Sequence, residues 1–372
     1  MSANGNTIGK YEEGDRKLHW FTRLLLTNRW AQLVLWPIVY PWQEELVFFR
    51  YFDREKGELV QDEPGRIAVR KMGLPSEYGL AGFVEDRVKV KEDEELVFWR
   101  KHPELGAPTI LVFHGYAGKV SDEAPLLKAI ADAGLGVVAV EYPGYGSSTG
   151  SPSESSLKRS AREAVKYCKK NGIDLDSVVP LGLSLGASMA LEASLEHPFK
   201  AKVFYSPFSS MTHRAGDAFP LMPMDLFLKH RFNNLDLIER AMQRRIRRRV
   251  ISGDDILILQ GELDEFTDVG HAKKLAKALR MRKEDIIKIL PGVGHVPDPA
   301  DYPYIMGVVA EFMERRGFTL PRPASNARED GVLDVSTVME LGRGEGTNWV
   351  GSTSTRPGRN GTPGHDDEVT QR

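Results

Sequence analysis

The chain of 372 residues carries 50 Lys and Arg against 52 Asp and Glu, a formal net charge of −2, which supplies no global field to gather nucleic acid or an acidic substrate. At 41% hydrophobic and 27% charged residues the composition is that of an ordinary globular protein, with room for one large α/β domain plus attached segments or for two small domains. The single cysteine, Cys168, excludes an internal disulfide framework and any multi-cysteine metal site, fits a reducing compartment, and reads as a packing residue in the helical stretch 154–170.

Residues 1–17 are polar and glycine-containing, and read as a disordered tail. An apolar N-terminal segment and linker follow over 18–74. Its stretch from Leu24 to Trp42 is long enough to cross a bilayer at about 1.5 Å per helical residue. Asn28, Arg29 and Gln32 lie inside it, however, and Pro37 and Pro41 interrupt a helix; an arginine near a helix centre costs about 2.5–3.5 kcal/mol on insertion scales. Trp20, Trp30, Trp36 and Trp42 point instead to the membrane–water boundary, which indole favours. Residues 18–42 are therefore expected to lie on or anchor to a membrane surface, with a weak transmembrane span or a helix packed on the domain as the alternatives. The segment starts too late for a cleavable signal peptide and lacks a small-residue cleavage site. A membrane-associated location is the expectation, a cytoplasmic one the alternative.

The main domain is expected over 75–320, and 321–372, rich in Gly, Ser, Thr, Pro and charge, reads as a second disordered tail. From residue 83 short β-branched runs alternate with longer amphipathic stretches, the pattern of a mostly parallel sheet with helices on both faces. Strands are expected at 84–90, 96–100, 109–113, 136–141, 178–182, 201–205, 255–260 and 285–290, and helices near 121–133, 154–170, 185–196, 268–281 and 301–316. The continuously apolar runs Thr109–Phe113 and Ile256–Leu259 should be buried on both faces. The first two runs, with Glu85, Asp86, Lys89 and Glu94 interleaved, look like exposed edge strands. Ligands of such sheets bind beyond the carboxyl ends of the strands, so chemistry is sought just after each strand.

After the run 178–182 comes Gly182-Leu-Ser184-Leu-Gly186, leading into a helical run: the G-x-S-x-G elbow in its strand-to-helix context. The serine is held on a strained turn where side chains two positions to either side would collide with neighbouring strand and helix, and the helix behind it points free N–H groups at the attack site. A serine hydroxyl needs a base, and the base a carboxylate to fix its tautomer. His295, in Pro291-Gly-Val-Gly-His295 beyond the last strand, fits the base; His213, His230 and His271 lie in segments that read as loop or helix surface. Asp264, in Gln260-Gly-Glu-Leu-Asp264, fits the carboxylate, with Glu262, Glu265 and Asp268 as competitors on the same loop. Acyl transfer also puts charge on a carbonyl oxygen, to be met by two backbone donors. The N–H groups of Leu185 and of Tyr116, in the glycine-lined turn His114-Gly115-Tyr116-Ala117-Gly118, are the candidates, with His114 bracing the turn. Glu141-Tyr-Pro-Gly-Tyr-Gly-Ser-Ser-Thr-Gly150 forms another rim.

Taken together, 114–118, 141–150, 182–186, 261–264 and 291–295 resemble the α/β-hydrolase superfamily, and more narrowly its serine-aminopeptidase-like and monoacylglycerol-lipase-like group, with membrane-tethered members, over about 75–316. The resemblance implies an eight-stranded sheet, no metal or organic cofactor, and hydrolysis of esters, thioesters or sometimes amides. It also implies a small cap between strands six and seven, about 207–254. That region departs from the usual pattern with a Met- and Phe-rich stretch, Pro220–Leu228, suited to lining an acyl pocket or to core packing. Six arginines follow in the ten residues Arg240–Arg249, suited to an anionic surface or to a solvated helix face. The expected function is cleavage of an ester or thioester bond in a lipid-like acyl substrate (lysophospholipid, monoacylglycerol or acylated protein) through an acyl-enzyme on Ser184. Peptidase-type amide hydrolysis and a catalytically silent binding module are the alternatives. Without a base-stacking or recognition motif beside the arginine run, no nucleic-acid partner is expected.

Overall fold

Eight runs of apolar and β-branched residues pair into one sheet: β1 Val84–Lys89, β2 Glu95–Lys101, β3 Thr109–Phe113, β4 Gly136–Val140, β5 Val178–Leu183, β6 Lys202–Tyr205, β7 Ile256–Gly261 and β8 Ile287–Leu290. The computed structural model describes residues 72–321 apart from 117, 219–223, 225–227 and 245–250, together with a short antiparallel pair, Phe52–Asp53 with Glu58–Leu59. The apolar segment 18–42, both expected tails apart from Pro321, and most of the arginine run therefore lie outside the described residues.

The strand order is β8-β7-β6-β5-β3-β4-β2-β1. Neighbours from β4 to β8 are parallel, and β2 runs antiparallel to both β1 and β4. The chain leaves β3 for β4 on one side and returns to β5 on the other, so the order reverses at the β3–β5 pair. Such a switch point opens a crevice at the carboxyl ends of its strands.

Residues along each central strand alternate between two cores. Leu111, Phe113, Val138 and Val140 face the core that takes α2 (Glu154–Lys170), α3 (Leu185–Ala193) and α6 (Val269–Ala278). Ile110, Val112, Val137 and Ala139 face the core that takes α1 (Ala124–Asp132) and α8 (Tyr302–Arg315). This period of two, apolar in both phases, is why β3 and β7 are buried throughout. The helix α2 starts at Ser153, whose hydroxyl accepts from Ser156 N at 3.1 Å while Ser156 Oγ accepts from Ser153 N at 2.8 Å, a reciprocal cap. Buried in α2, Cys168 has its thiol pushed up to about 12 by desolvation, in keeping with a packing role.

Two sequence expectations need correcting. The second run is no edge strand: β2 lies between β1 and β4, and Leu96 to Trp99 are fully buried. Most of the charges behind that expectation fall on β1, the true edge, and Glu94, just ahead of β2, is buried with its carboxylate bound by Arg159. The histidines His230 and His271 are not surface residues either, being buried at 5% and 2% exposure, while His213 is exposed. Burial of His271 is matched by polar partners: its Nε2 lies 3.0 Å from Asp217 Oδ2 and its Nδ1 2.9 Å from Ser209 Oγ. Between β6 and β7, where a cap is expected, the described residues form α4 (Met211–Ala218) and α5 (Asn234–Arg244). A one-turn helix, α7 (Lys283–Ile286), precedes β8.

Candidate active site

Ser184 is the hinge residue between β5 and α3, with φ 50° and ψ −108°. This is a conformation that a side-chain-bearing residue adopts only when its surroundings impose it. The surroundings are close. A Cβ on Gly182 would stand 2.3 Å from Gly186 O, and one on Gly186 would stand 2.0 Å from Phe113 O. Ser184 N donates to Tyr205 O of β6 at 2.8 Å, anchoring the elbow to the neighbouring strand. Directly behind Ser184, the nine-residue α3 begins at Leu185 with its N–H groups toward the switch point.

His295 stands on the loop after β8, and Asp264 three residues past the end of β7. Gly261 closes the two loops together, since a Cβ there would meet the carbonyl oxygens of Val293 and Gly294 at 2.5 Å. The structure brings the three sequence-selected side chains into one line. His295 Nε2 lies 3.1 Å from Ser184 Oγ, and His295 Nδ1 lies 3.0 Å from both Asp264 oxygens. With Asp264 accepting the Nδ1–H, Nε2 is left as the acceptor for the serine proton.

Asp264 is held as an anion by more than the imidazole. Burial alone would raise its pKa, but the hydrogen bond and charge of His295 and the Thr267 N–H outweigh it and hold the carboxyl well below the usual range. Thr267 N and Phe266 N donate to Oδ1 at 2.8 and 2.9 Å, while Thr267 Oγ1 and Gln260 Nε2 donate to Oδ2 at 2.8 and 3.1 Å. The competing carboxylates are engaged elsewhere or turned to solvent. Glu262 accepts from Gly292 N at 2.9 Å, Asp268 caps α6 through Gly270 N, and Glu265 is exposed.

The turn 114–118 leaves β3 and lies against the elbow, a Cβ on Gly115 falling 3.5 Å from Leu183 O and 3.9 Å from Ser184 Cβ. His114 is fully buried beneath it. Its Nδ1 lies 2.9 Å from Gly115 O, which belongs to the same peptide as the Tyr116 N–H, and its carbonyl accepts from Tyr142 Oη at 2.9 Å. His114 Nε2 stands 3.0 Å from Glu141 Oε1 without the alignment of a hydrogen bond, and Glu141 Oε2 accepts from Val120 N at 2.9 Å. Around the mouth, Leu263, Phe266 and Val296 are exposed at 60%, 61% and 54%, and the Phe266 ring centroid is 5.2 Å from that of His295.

Sequence reasoning missed Thr267, Gln260 and Tyr205. Gln260 and Tyr205 stand at strand ends, the place the parallel-sheet rule marks, and Thr267 lies on the loop between β7 and α6, but none of the three carries a motif signal. Among the described residues, no group of three or more His, Cys, Asp or Glu is placed to hold a metal ion.

A family model described as the alpha/beta hydrolase fold matches residues 108–235, the span from β3 through the elbow into α5. The chain carries the α/β-hydrolase fold. Its fold is similar to that of solved structures such as an esterase of Pyrococcus furiosus, which is 16% identical with a TM-score of 0.51, covering 69% of this chain and 100% of that one. Among curated relatives of this α/β-hydrolase-fold protein, an uncharacterised protein of Mycobacterium tuberculosis is 27% identical over 208 residues, 55% of this chain and 69% of the relative. The lysophosphatidylserine lipase ABHD12 of Xenopus tropicalis is 28% identical over 134 residues, 34% of each chain. The match thus spans about a third of that lipase's length.

Proposed function

We propose that this protein is a serine hydrolase that cleaves the ester or thioester bond of a lipid-like acyl substrate through an acyl-enzyme on Ser184. The observation that carries this reading is the line of contacts from Ser184 Oγ to His295 Nε2 at 3.1 Å and from His295 Nδ1 to Asp264 at 3.0 Å. His295 takes the proton as Ser184 Oγ attacks the carbonyl carbon, and Asp264 stabilises the imidazolium formed. The N–H groups of Leu185 and Tyr116 meet the oxyanion. His295 then gives its proton to the leaving alcohol or thiol as the tetrahedral intermediate collapses. Water, deprotonated by the same His295, repeats the addition at the acyl-enzyme carbonyl, and collapse expels Ser184 and frees the acid.

An apolar substrate is supported by the exposed Leu263, Phe266 and Val296 beside the proposed acid and base, and by the named activity of the Xenopus relative. Among the described residues no helix is long and apolar enough to cross a membrane, so contact with a membrane surface rests on residues 18–42. Loss of vesicle co-sedimentation in a Trp30→Glu, Trp36→Glu variant is the expected result; unchanged sedimentation would remove that part of the proposal.

The test of the chemistry is labelling of the full chain by a fluorophosphonate probe, beside Ser184→Ala and His295→Ala, in competition with lysophospholipids, monoacylglycerols and short esters. Labelling of the wild type that vanishes in both variants, with lipid esters the best competitors, is expected. A folded wild type that takes no label would overturn the serine-hydrolase reading.

A further inference from the structure

The catalytic geometry proposed above joins two loops that no backbone ladder connects. Ser184 follows β5 and His295 follows β8, and β6 and β7 lie between those strands in the sheet. One residue reaches both. Tyr205, the last residue of β6, is paired in register with Leu183 of β5. Its carbonyl accepts the Ser184 N–H at 2.8 Å, and its buried phenol donates to Gly294 O, the carbonyl just before His295, at 2.6 Å. The side chain crosses the end of β7 to do so. β7 ends in Gly261, where a Cβ would meet Val293 O and Gly294 O at 2.5 Å, so the loop that carries Gly294 lies directly on the end of β7. The next residue continues the pattern: Ser206, at φ 46°, donates its N–H to Leu259 O at 2.8 Å, and its carbonyl oxygen lies 3.1 Å from Thr267 Oγ1. The end of β6 thus touches the loops of the nucleophile, the base and the acid in turn.

We propose that Tyr205 is a positioning residue of the hydrolase, its hydroxyl holding the His295 loop at the register in which Nε2 meets the hydroxyl of Ser184. The inference rests on the serine-hydrolase reading and adds a residue to it. Without the phenol, Gly294 O loses a partner across the sheet and the imidazole is free to withdraw from the serine, while Leu263, Phe266 and Val296, proposed to meet the acyl chain, are not hydrogen-bonded by the phenol. A misplacement of about 1 Å in a catalytic group costs on the order of 100-fold in rate. The loss therefore falls on kcat rather than on KM. Burial pushes the Tyr205 phenol well above its ordinary range, so it remains a donor wherever the base is active.

The experiment measures kcat, KM and the pH profile of ester hydrolysis by the full chain, for the wild type, Ser184→Ala and Tyr205→Phe. In two further proteins Tyr205 is replaced by 4-aminophenylalanine, which keeps a donor, and by 4-methylphenylalanine, which fills the same space without one. Expected is a fall in kcat on the order of 10- to 100-fold in the two donor-less proteins, with KM within about twofold, and recovery of most of the loss with the amino group. Equal kcat in donor and donor-less proteins overturns the proposal, and the isosteric amino and methyl pair decides it should Tyr205→Phe not fold. Wild-type turnover that persists in Ser184→Ala overturns the parent reading instead, and this one with it.

Discussion

Gly186 lies so close to the end of β3 that a Cβ on it would stand 2.0 Å from the carbonyl oxygen of Phe113 and 2.7 Å from that of His114. The elbow therefore holds its shape because two strands and a helix N-terminus meet with no side chain between them. A Gly186→Ala protein must push α3 away from β3, which separates Ser184 from the 114–118 turn. Overpacking of this kind costs about 1–3 kcal/mol, and the displaced serine should take a fluorophosphonate label on the order of 100-fold more slowly. Gly307, inside α8 with nothing within 4 Å of its Cβ position, provides the contrast: Gly307→Ala should leave labelling unchanged and raise the unfolding free energy read by urea denaturation by about 0.5–1 kcal/mol.

The parts of the fold that were legible in the sequence are those written in one local signal. β3 and β7 are continuous apolar runs, α2 keeps its bounds from Glu154 to Lys170 because Ser153 caps one end and lysines close the other, and the elbow is a spaced motif after a strand. What was not legible is set by partners distant along the chain. Tyr205 meets Gly294 across 89 positions, and His271 is buried because Ser209 and Asp217, 62 and 54 positions away, satisfy its ring. The first turns of α5 give only a weak signal, because Leu237, Ile238 and Ala241 form its buried side while the arginines from Arg240 onward dominate the local composition.

The depressed pKa of Asp264 links acid stability to the proposed catalytic geometry. Its folded pKa is held below the ordinary 3.8, so the folded chain binds fewer protons than the unfolded chain as pH falls. The stabilisation is complete above about pH 4 and is lost as pH drops through the depressed value. Asp264→Asn lacks the titrating group, so its stability should trail the wild type by about 2–3 kcal/mol at neutral pH and converge with it in acid. Urea unfolding at a series of pH values from 2 to 7 reads this directly. The same variant should lose on the order of 1,000- to 10,000-fold in kcat, because an amide no longer fixes the imidazole tautomer.

Phe266 and Leu263 face solvent beside the proposed base, at 61% and 60% exposure. A long acyl or alkyl chain laid across them would bury surface that a short ester leaves wet, and burying an aromatic side chain in full is worth about 1.5–3 kcal/mol. With the Phe266 ring only partly covered by such a chain, Phe266→Ala should lower kcat/KM for long-chain esters about 5- to 10-fold. Short esters should be hydrolysed at near wild-type efficiency. Equal losses on both would mean that Phe266 serves the His295 ring, 5.2 Å away, rather than the substrate.

At the opposite end of the sheet, Lys202 is a buried cation at the start of β6. Its Nζ donates to Phe199 O at 2.6 Å and lies 3.8 Å from Asp255 Oδ2, and Asp255 is also bound by Arg316. Desolvation lowers its pKa to about 8, Asp255 opposing and Arg316 adding to the effect. Between that value and the ordinary 10.5, the unfolded chain keeps a proton that the folded chain releases, so stability rises with pH across this window. The difference in unfolding free energy between wild type and Lys202→Met should accordingly shift toward the wild type by on the order of 3 kcal/mol from pH 8 to 10.5. Below pH 8 it should be flat. A difference that stays level across the whole range would show that Asp255 keeps the lysine protonated, and that the Asp255 carboxylate, not burial, governs this corner of the core.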